Sequence, residues 1–366
     1  MSQAESLNTR LKKAFMRLVA SRTGLKIRDN EQEFFQEVIL KRTHATGMSF
    51  PEAYYSLLES RTSDGHEEWK QIILEITNNE SFFFRDKGQF KLLKEDILPR
   101  IIERKTEQKT LRICSAGCST GEEPYSIAIL LRELIPDLKT WNLKILGVDI
   151  NSVAIKKARE GIYRPWSFRS VDKDIQQLFF EEVDGEYHID SRIREMVTFR
   201  TANLLRNSFS DPILDFQDID LILCRNVFIY FDEPAIRKVL NKFYDALIPL
   251  GYLLVGHAEL YSQNPDPFEI KVFEESIAYQ RPENTFNISK VNPFKISSMS
   301  DSNQNPLSET NPEDLESIFE GNDSKMQEVA LKLLRNLPAD MKISRLGNRT
   351  ASELILQLEK NRKVVD

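Results

Sequence analysis

Beyond residue 110 the chain alternates short apolar runs with amphipathic stretches, and this alternation constrains the fold more than any other feature. The runs 111–117 (LRICSAG), 143–150 (LKILGVDI), 218–227 (DIDLILCRNV) and 251–256 (GYLLVG) read as buried strands. Between them, 122–134, 151–160 and 233–247 carry apolar residues at helical spacing. Strands that alternate with helices in this way predict a parallel, doubly wound sheet with helices on both faces. The expected fold class is α/β.

The flanks differ. Residues 1–84 read as helices alone. Phe34, Phe35, Val38, Ile39 and Leu40 make one stripe, and Pro51 occupies a first-turn position ahead of another. Between 186 and 202 the period falls to about two, which predicts a small antiparallel β hairpin inserted at about 176–203. Residues 284–312 are rich in Asn, Ser and Pro, as a flexible linker would be. Residues 313–366 read as a small helical module. The expected order is therefore a helical N-terminal domain (1–84), an α/β domain (85–283), a linker and a helical C-terminal extension.

Composition removes other classes. A net charge of −6 and a pI near 5.6 supply no general field for nucleic acid. Cys114, Cys118 and Cys224 are too few, and odd in number, for a secreted disulfide framework. No neighbouring histidine or carboxylate completes a plausible zinc set around Cys114 and Cys118, so no metal is expected. The N-terminus lacks the apolar core of a signal peptide, and no apolar run approaches the ~20 residues that cross a bilayer. A cytoplasmic protein without membrane insertion is expected.

Chemistry concentrates where the strands end. In 113-ICSAGCSTGEEPYSIA-128 a strand enters a glycine turn and the turn enters a helix. Gly117 and Gly121 permit close backbone approach, and a helix N-terminus offers free N–H groups to an anion. A turn that needs two glycines for its own geometry explains the stretch about as well. Glu122 and Glu123 ahead of Pro124 favour a ligand with an ammonium as well as a carboxylate, such as an amino acid. Asp149, in 147-GVDIN-151, ends the next strand, where doubly wound folds bind ribose hydroxyls; alone it is better explained as a cap of the following helix, and paired with the glycine turn it reads as a nucleoside site. Arg225 and Asn226 interrupt an apolar run and must face something polar, either a ligand or an acid across the sheet.

A further stretch, 77-TNNESFFFRD-86, weaves Asn79, Ser81 and Arg85 around three phenylalanines. Taken in order, TNNESFFFR, SAGCSTGEEPYSIA, GVDIN, ANLL, CRNVFIYFD and GHAE resemble the chemotaxis receptor methyltransferase (CheR) family over roughly residues 10–282. The resemblance implies a class I methyltransferase sheet and methyl transfer from S-adenosylmethionine to receptor glutamates, with S-adenosylhomocysteine as product. It implies that Asn79, Ser81, Arg85, Gly117, Glu123, Asp149, Asn203, Leu204, Arg225 and Asn226 surround the cofactor. Arg85 and Tyr230 would lie beside the reacting methyl. Ser81 stands where the family commonly has threonine, and Ala258 where it has serine. The phenylalanines would then fasten the helical region to the sheet and wall off the cofactor.

The partner implied is the cytoplasmic helical bundle of methyl-accepting chemotaxis receptors. Residues 10–28 hold seven basic residues and no acid, which suits docking on an acidic bundle as well as it suits a solvated helix face. Some family members bind a C-terminal receptor pentapeptide through a glycine-rich loop of the insert. Here the corresponding stretch is acidic, with Glu181, Glu182, Asp184 and Glu186 around the single Gly185, so direct docking without that tether is expected. A small-molecule methyltransferase and a non-catalytic cofactor-binding scaffold are the rival classes.

Overall fold

Strand β1 (Thr110–Ala116) lies at the middle of a seven-stranded sheet. β2 (Asn142–Asp149) pairs with it in parallel on one side and β7 (Ile219–Cys224) on the other. β6 (Val197–Thr201) continues the sheet beyond β2, and β8 (Leu247–Val255) continues it beyond β7. Central parallel strands are covered on both faces and therefore read as unbroken apolar runs. Every residue of β7 is buried. The structure is a computed structural model that describes residues 7–283, except 213 and 261–262, together with 331, 342–343, 349–350 and 352–356.

Two departures from the expected parallel sheet lie at its edges. β10 (Ile277–Gln280) runs antiparallel to β8, and β9 (Glu269–Val272) pairs antiparallel with β10. The order is β6-β2-β1-β7-β8-β10-β9. β9 has three exposed residues of four, so it carries no apolar run to be read. The second departure is β6. An edge strand covered on one face alternates like a hairpin, and Val197 and Phe199 are buried while Thr198 and Arg200 are exposed. The inserted unit therefore ends before β6 and reaches back to β3, instead of spanning 176–203. β4 (Phe180–Val183) and β5 (Glu186–Ile189) form the hairpin, and β3 (Ile162–Tyr163) pairs with β5. The acidic stretch is the hairpin itself, closed by Asp184 and Gly185, both at positive φ.

Helices α7 (Glu122–Leu134) and α8 (Ser152–Glu160) follow β1 and β2. On the same face, α5 (Lys87–Leu92), a wide turn at Leu93–Ile97 and α6 (Leu98–Arg104) cover the sheet. α9 (Lys173–Phe179) lies between β3 and β4, and α10 (Ser191–Arg194) between β5 and β6. α11 (Glu233–Ala246) covers the opposite face through Ile236, Val239, Leu240 and Phe243.

The N-terminal region is a bundle of α1 (Thr9–Thr23), α2 (Gln32–Ala45), α3 (Pro51–Glu59) and α4 (Ser63–Ile76) around its own core of Phe15, Phe35, Ile39, Tyr54, Leu58 and Ile72. Asn8 caps α1 by accepting from the Leu11 N–H, and Gly24 ends it in the left-handed conformation. Within this core Glu68 is buried, its charge met by the Arg42 guanidinium at 2.7 Å and by the Tyr54 hydroxyl. After α1 the chain joins the α/β domain directly. Leu25 bridges Phe231, and the Lys26 N–H donates to the Tyr230 carbonyl at 2.7 Å.

The expected linker 284–312 lies outside the described residues. So does most of the expected C-terminal module, of which β11 (Lys342–Ile343) and β12 (Arg349–Thr350) form an antiparallel ladder ahead of a helical stretch at 352–356. Among the described residues no helix is long and apolar enough to cross a membrane.

Candidate active site

The carboxyl ends of β1, β2 and β7 open onto one pocket, which the N-terminal bundle closes with Thr23, Leu25 and Ile76–Asn78. Asn79, Ser81, Arg85, Gly117, Glu123, Asp149, Asn203, Leu204, Arg225, Asn226 and Tyr230 all line it. The sequence-predicted residues thus converge, but several do so for reasons the sequence did not carry.

The glycines are the first case. A Cβ on Gly117, at φ +78°, would sit 2.3 Å from Val227. A Cβ on Gly121, at φ +94°, would sit 2.8 Å from Ala158. Both positions make room for the chain itself: the first lets the loop after β7 close on the turn, the second lets α8 pack on α7. Of the paired acids, Glu122 turns into the interior, where burial raises its pKa against the hydroxyls of Thr120, Ser81 and Ser167. Glu123 faces the pocket and accepts from Ser115 Oγ at 2.7 Å.

Asp149 is held from behind. One carboxylate oxygen accepts the Ser119 N–H at 2.9 Å and the other the Asn151 N–H at 2.8 Å. Each oxygen keeps a lone pair for a ligand hydroxyl. Asn151, not Asp149, caps α8, and its amide ties the strand end to Thr77 Oγ1 of the N-terminal region.

Arg225 takes the second of its two predicted readings. Its side chain is 2% exposed, and its donors reach Gln89 Oε1, Glu123 Oε2 (3.0 Å) and the Arg85 carbonyl. A buried guanidinium needs partners of this kind. It therefore positions Glu123 and the Arg85 backbone. Asp86, paired with His257 Nε2 at 2.6 Å, lies 3.9 Å from Arg225 as well.

The three phenylalanines part company, which corrects the expectation that they fasten the helical region to the sheet. Phe83 is fully buried and packs on Tyr163, Phe168 and Phe180, so it anchors the insert. Fully burying such a ring stabilises by about 1.5–3 kcal/mol. Phe84 meets Phe90 edge-on, while Phe82 faces the pocket under the Arg85 guanidinium. Arg85 makes one hydrogen bond to the described residues, from Nη1 to the Glu80 carbonyl at 3.1 Å. Its remaining donors have no partner among the described residues, and the side chain lines the pocket.

Tyr230 ends a 3₁₀ turn, and its hydroxyl accepts weakly from Asn78 Nδ2 at 3.4 Å. Asn203 spends its amide on the Arg22 carbonyl, and half-buried Lys242 donates to the carbonyls of Leu204, Leu205 and Asn207. Sequence reasoning missed Asn78, Gln89, Ser115, Lys242 and Glu259. Of these only Glu259 left a trace, as an acid next to a strand's glycine end. Among the described residues no cluster of His, Cys, Asp and Glu could hold a metal ion.

Numbered by chain order within the sheet, the strands run 3-2-1-4-5-7-6 with only strand 7 antiparallel. With an acid at the tip of strand 2 beside a glycine turn, this defines a class I, S-adenosylmethionine-dependent methyltransferase. Residues 79–277 match the family described as CheR methyltransferase, SAM binding domain. The chain is 32% identical over 262 residues to chemotaxis protein methyltransferase 2 of Vibrio cholerae, covering 71% of this chain and 89% of that relative. It is 32% identical over 259 residues to the chemotaxis protein methyltransferase of Escherichia coli, covering 69% and 85%. Against that of Salmonella typhimurium the figures are 30% over 275 residues, 74% and 91%. The chain belongs to the CheR methyltransferase family.

Proposed function

We propose that the protein methylates glutamate side chains of chemotaxis receptors on their cytoplasmic helical bundle, giving glutamate methyl esters for sensory adaptation. The observation that supports this most is Arg85, a guanidinium with unspent donors in the same pocket as Asp149. Bound S-adenosylmethionine supplies an electrophilic methyl on a sulfonium, which a carboxylate oxygen takes in line as the sulfur departs. A glutamate with a pKa of about 4.3 is already ionised at neutral pH, so no general base is required. No histidine lines the pocket among the described residues. In this reading Asp149 holds the ribose hydroxyls and Glu123 the methionine end. Asn79, Ser81, Gly117, Asn203, Leu204 and Asn226 wall the pocket, and Arg85 orients the acceptor beside Tyr230.

The test is mass spectrometry of cytoplasmic receptor domains, with and without their last five residues, after incubation with enzyme and S-adenosylmethionine. Methyl esters on glutamates, equally frequent in both, are expected. The four acids of the hairpin are exposed and would repel a peptide's terminal carboxylate, so no tether is required. Modification of another residue type, or none, would favour a different acceptor or a binding scaffold.

Arg85→Ala is expected to slow single-turnover transfer about tenfold, the loss of one charge-assisted hydrogen bond, with little change in cofactor affinity. Tyr230→Phe should also reduce the rate more than the affinity. Full activity in that variant would leave only the ring with a role.

The bundle supplies the docking face in this reading. Arg10, Lys13 and Arg17 are exposed along α1, opposite buried Phe15 and Val19, whereas Lys12 is half-buried on the side of Val19. Charge reversal of Lys12, Lys13 and Arg17 together should lower kcat/KM for receptor about tenfold at low ionic strength, and less as salt rises. A rate that ignores both charge and salt would make this a solvated face.

A further inference from the structure

Beyond the pocket, the segment 164–169 carries an aromatic ring that the fold leaves in water. Trp166 is 66% exposed, on the short turn Pro165–Phe168. It is nonetheless held. The Arg169 guanidinium lies 4.4 Å from the centre of the Trp166 ring and 3.6 Å from that of Phe82. The Arg85 guanidinium lies 5.5 Å from the same Phe82 ring. Glu80 joins the two cations, its carboxylate accepting from Arg169 at 3.0 Å and its carbonyl from Arg85. Phe82 and Arg85 line the pocket whereas Arg169 and Trp166 do not, so the stack leads from the pocket to the surface.

The segment is also rigidly placed. The Phe83 N–H donates to the Ser167 carbonyl at 2.9 Å, and the Phe83 ring stacks on Phe168. Arg169 keeps 23% of its side chain exposed, and its one carboxylate partner, Glu80, is itself 56% exposed. An exposed ion pair of this kind contributes little, so another carboxylate can replace Glu80 at small cost. Trp and Arg held ready on a surface are the residues that anchor interfaces.

We propose that Arg169 and Trp166 form the acceptor lip, a reading that rests on glutamate methylation as the function. Arg169 takes a second carboxylate of the acceptor helix, one turn from the glutamate held at Arg85, and Trp166 packs against the apolar flank of that helix. Side chains one helical turn apart have Cβ atoms about 5–6 Å apart, and the two guanidinium groups are neighbours over one ring, Phe82, and one acid, Glu80. The lip thus selects acidic helices in which carboxylates repeat along one face.

The experiment uses a cytoplasmic receptor domain in which the acidic residue one turn from a methylated glutamate is kept or changed to Gln. Wild-type enzyme is expected to favour the acidic form about tenfold in kcat/KM. Arg169→Gln should erase that preference, and Arg169→Lys should restore part of it. In both variants S-adenosylmethionine affinity by calorimetry should be unchanged. Trp166→Ala should raise KM for both acceptors without changing kcat. Arg169→Gln that keeps the preference, or loses equally on both acceptors, overturns the lip while leaving glutamate methylation standing. A wild-type enzyme that esterifies neither acceptor overturns the parent reading instead.

Discussion

Asp149→Ala is expected to weaken S-adenosylmethionine binding about 10- to 150-fold through lost ribose contacts alone, the largest single loss of affinity in the pocket. Charge-assisted hydrogen bonds to the ribose hydroxyls account for that range, ~1.5–3 kcal/mol. The structure adds a second contribution. The same carboxylate holds the Ser119 and Asn151 N–H groups, so its removal also loosens the glycine turn and the entry to α8. Asp149→Asn should lose nearly as much, because an amide NH₂ would face one of those two donors. Burial raises the Asp149 pKa, opposed by the N–H groups of Asn151, Ser119 and Ile150. Only the ionised form accepts from two hydroxyls. Affinity should therefore fall, as pH is lowered, sooner than an ordinary aspartate would dictate. Calorimetry across pH checks this, and unchanged affinity in Asp149→Ala would remove the residue from the site.

Legibility in the sequence followed burial. β1, β2, β7 and β8 were readable because strands covered on both faces leave continuous apolar runs. β9 and β10 were not, being short and at or near an edge, and β6 was misread because one covered face produces the same alternation as a hairpin. In the site, Asp149 was readable as a polar residue ending an apolar strand. The partners of Arg225 were not. A sequence shows that a buried cation needs acceptors, but these come from α5, α7 and the Arg85 backbone, which only the fold brings together. The phenylalanines were likewise legible as buried rings, but not as three rings with three destinations.

Glu259→Ala is expected to be the most damaging change outside the pocket lining, with about 3 kcal/mol lost in stability and about a hundredfold in transfer rate. Glu259 is buried behind the loop that follows β7. Its Oε2 accepts the N–H groups of Gly256 (2.6 Å) and Asn226 (2.9 Å), and its Oε1 that of Ile229 (3.1 Å). Burial pushes its pKa up, and these donors pull it back. Truncation would leave three N–H groups unpaired, that of Gly256 buried, and the loop to which Asn226 and Ile229 belong holds Asn226 at φ +58° and carries Tyr230 to the pocket. Gly256→Ala should reproduce part of the loss, since its Cβ would stand 2.5 Å from Glu259 Oε2. Glu259→Gln should fall between, keeping the oxygen for two donors while its NH₂ opposes the third. Because the carboxylate acts through the loop, lower melting temperature and lower rate should move together across the three variants. A variant that melts like wild type yet transfers slowly would mean that Glu259 meets the substrate directly. One that keeps both properties would show that the loop holds its shape without it.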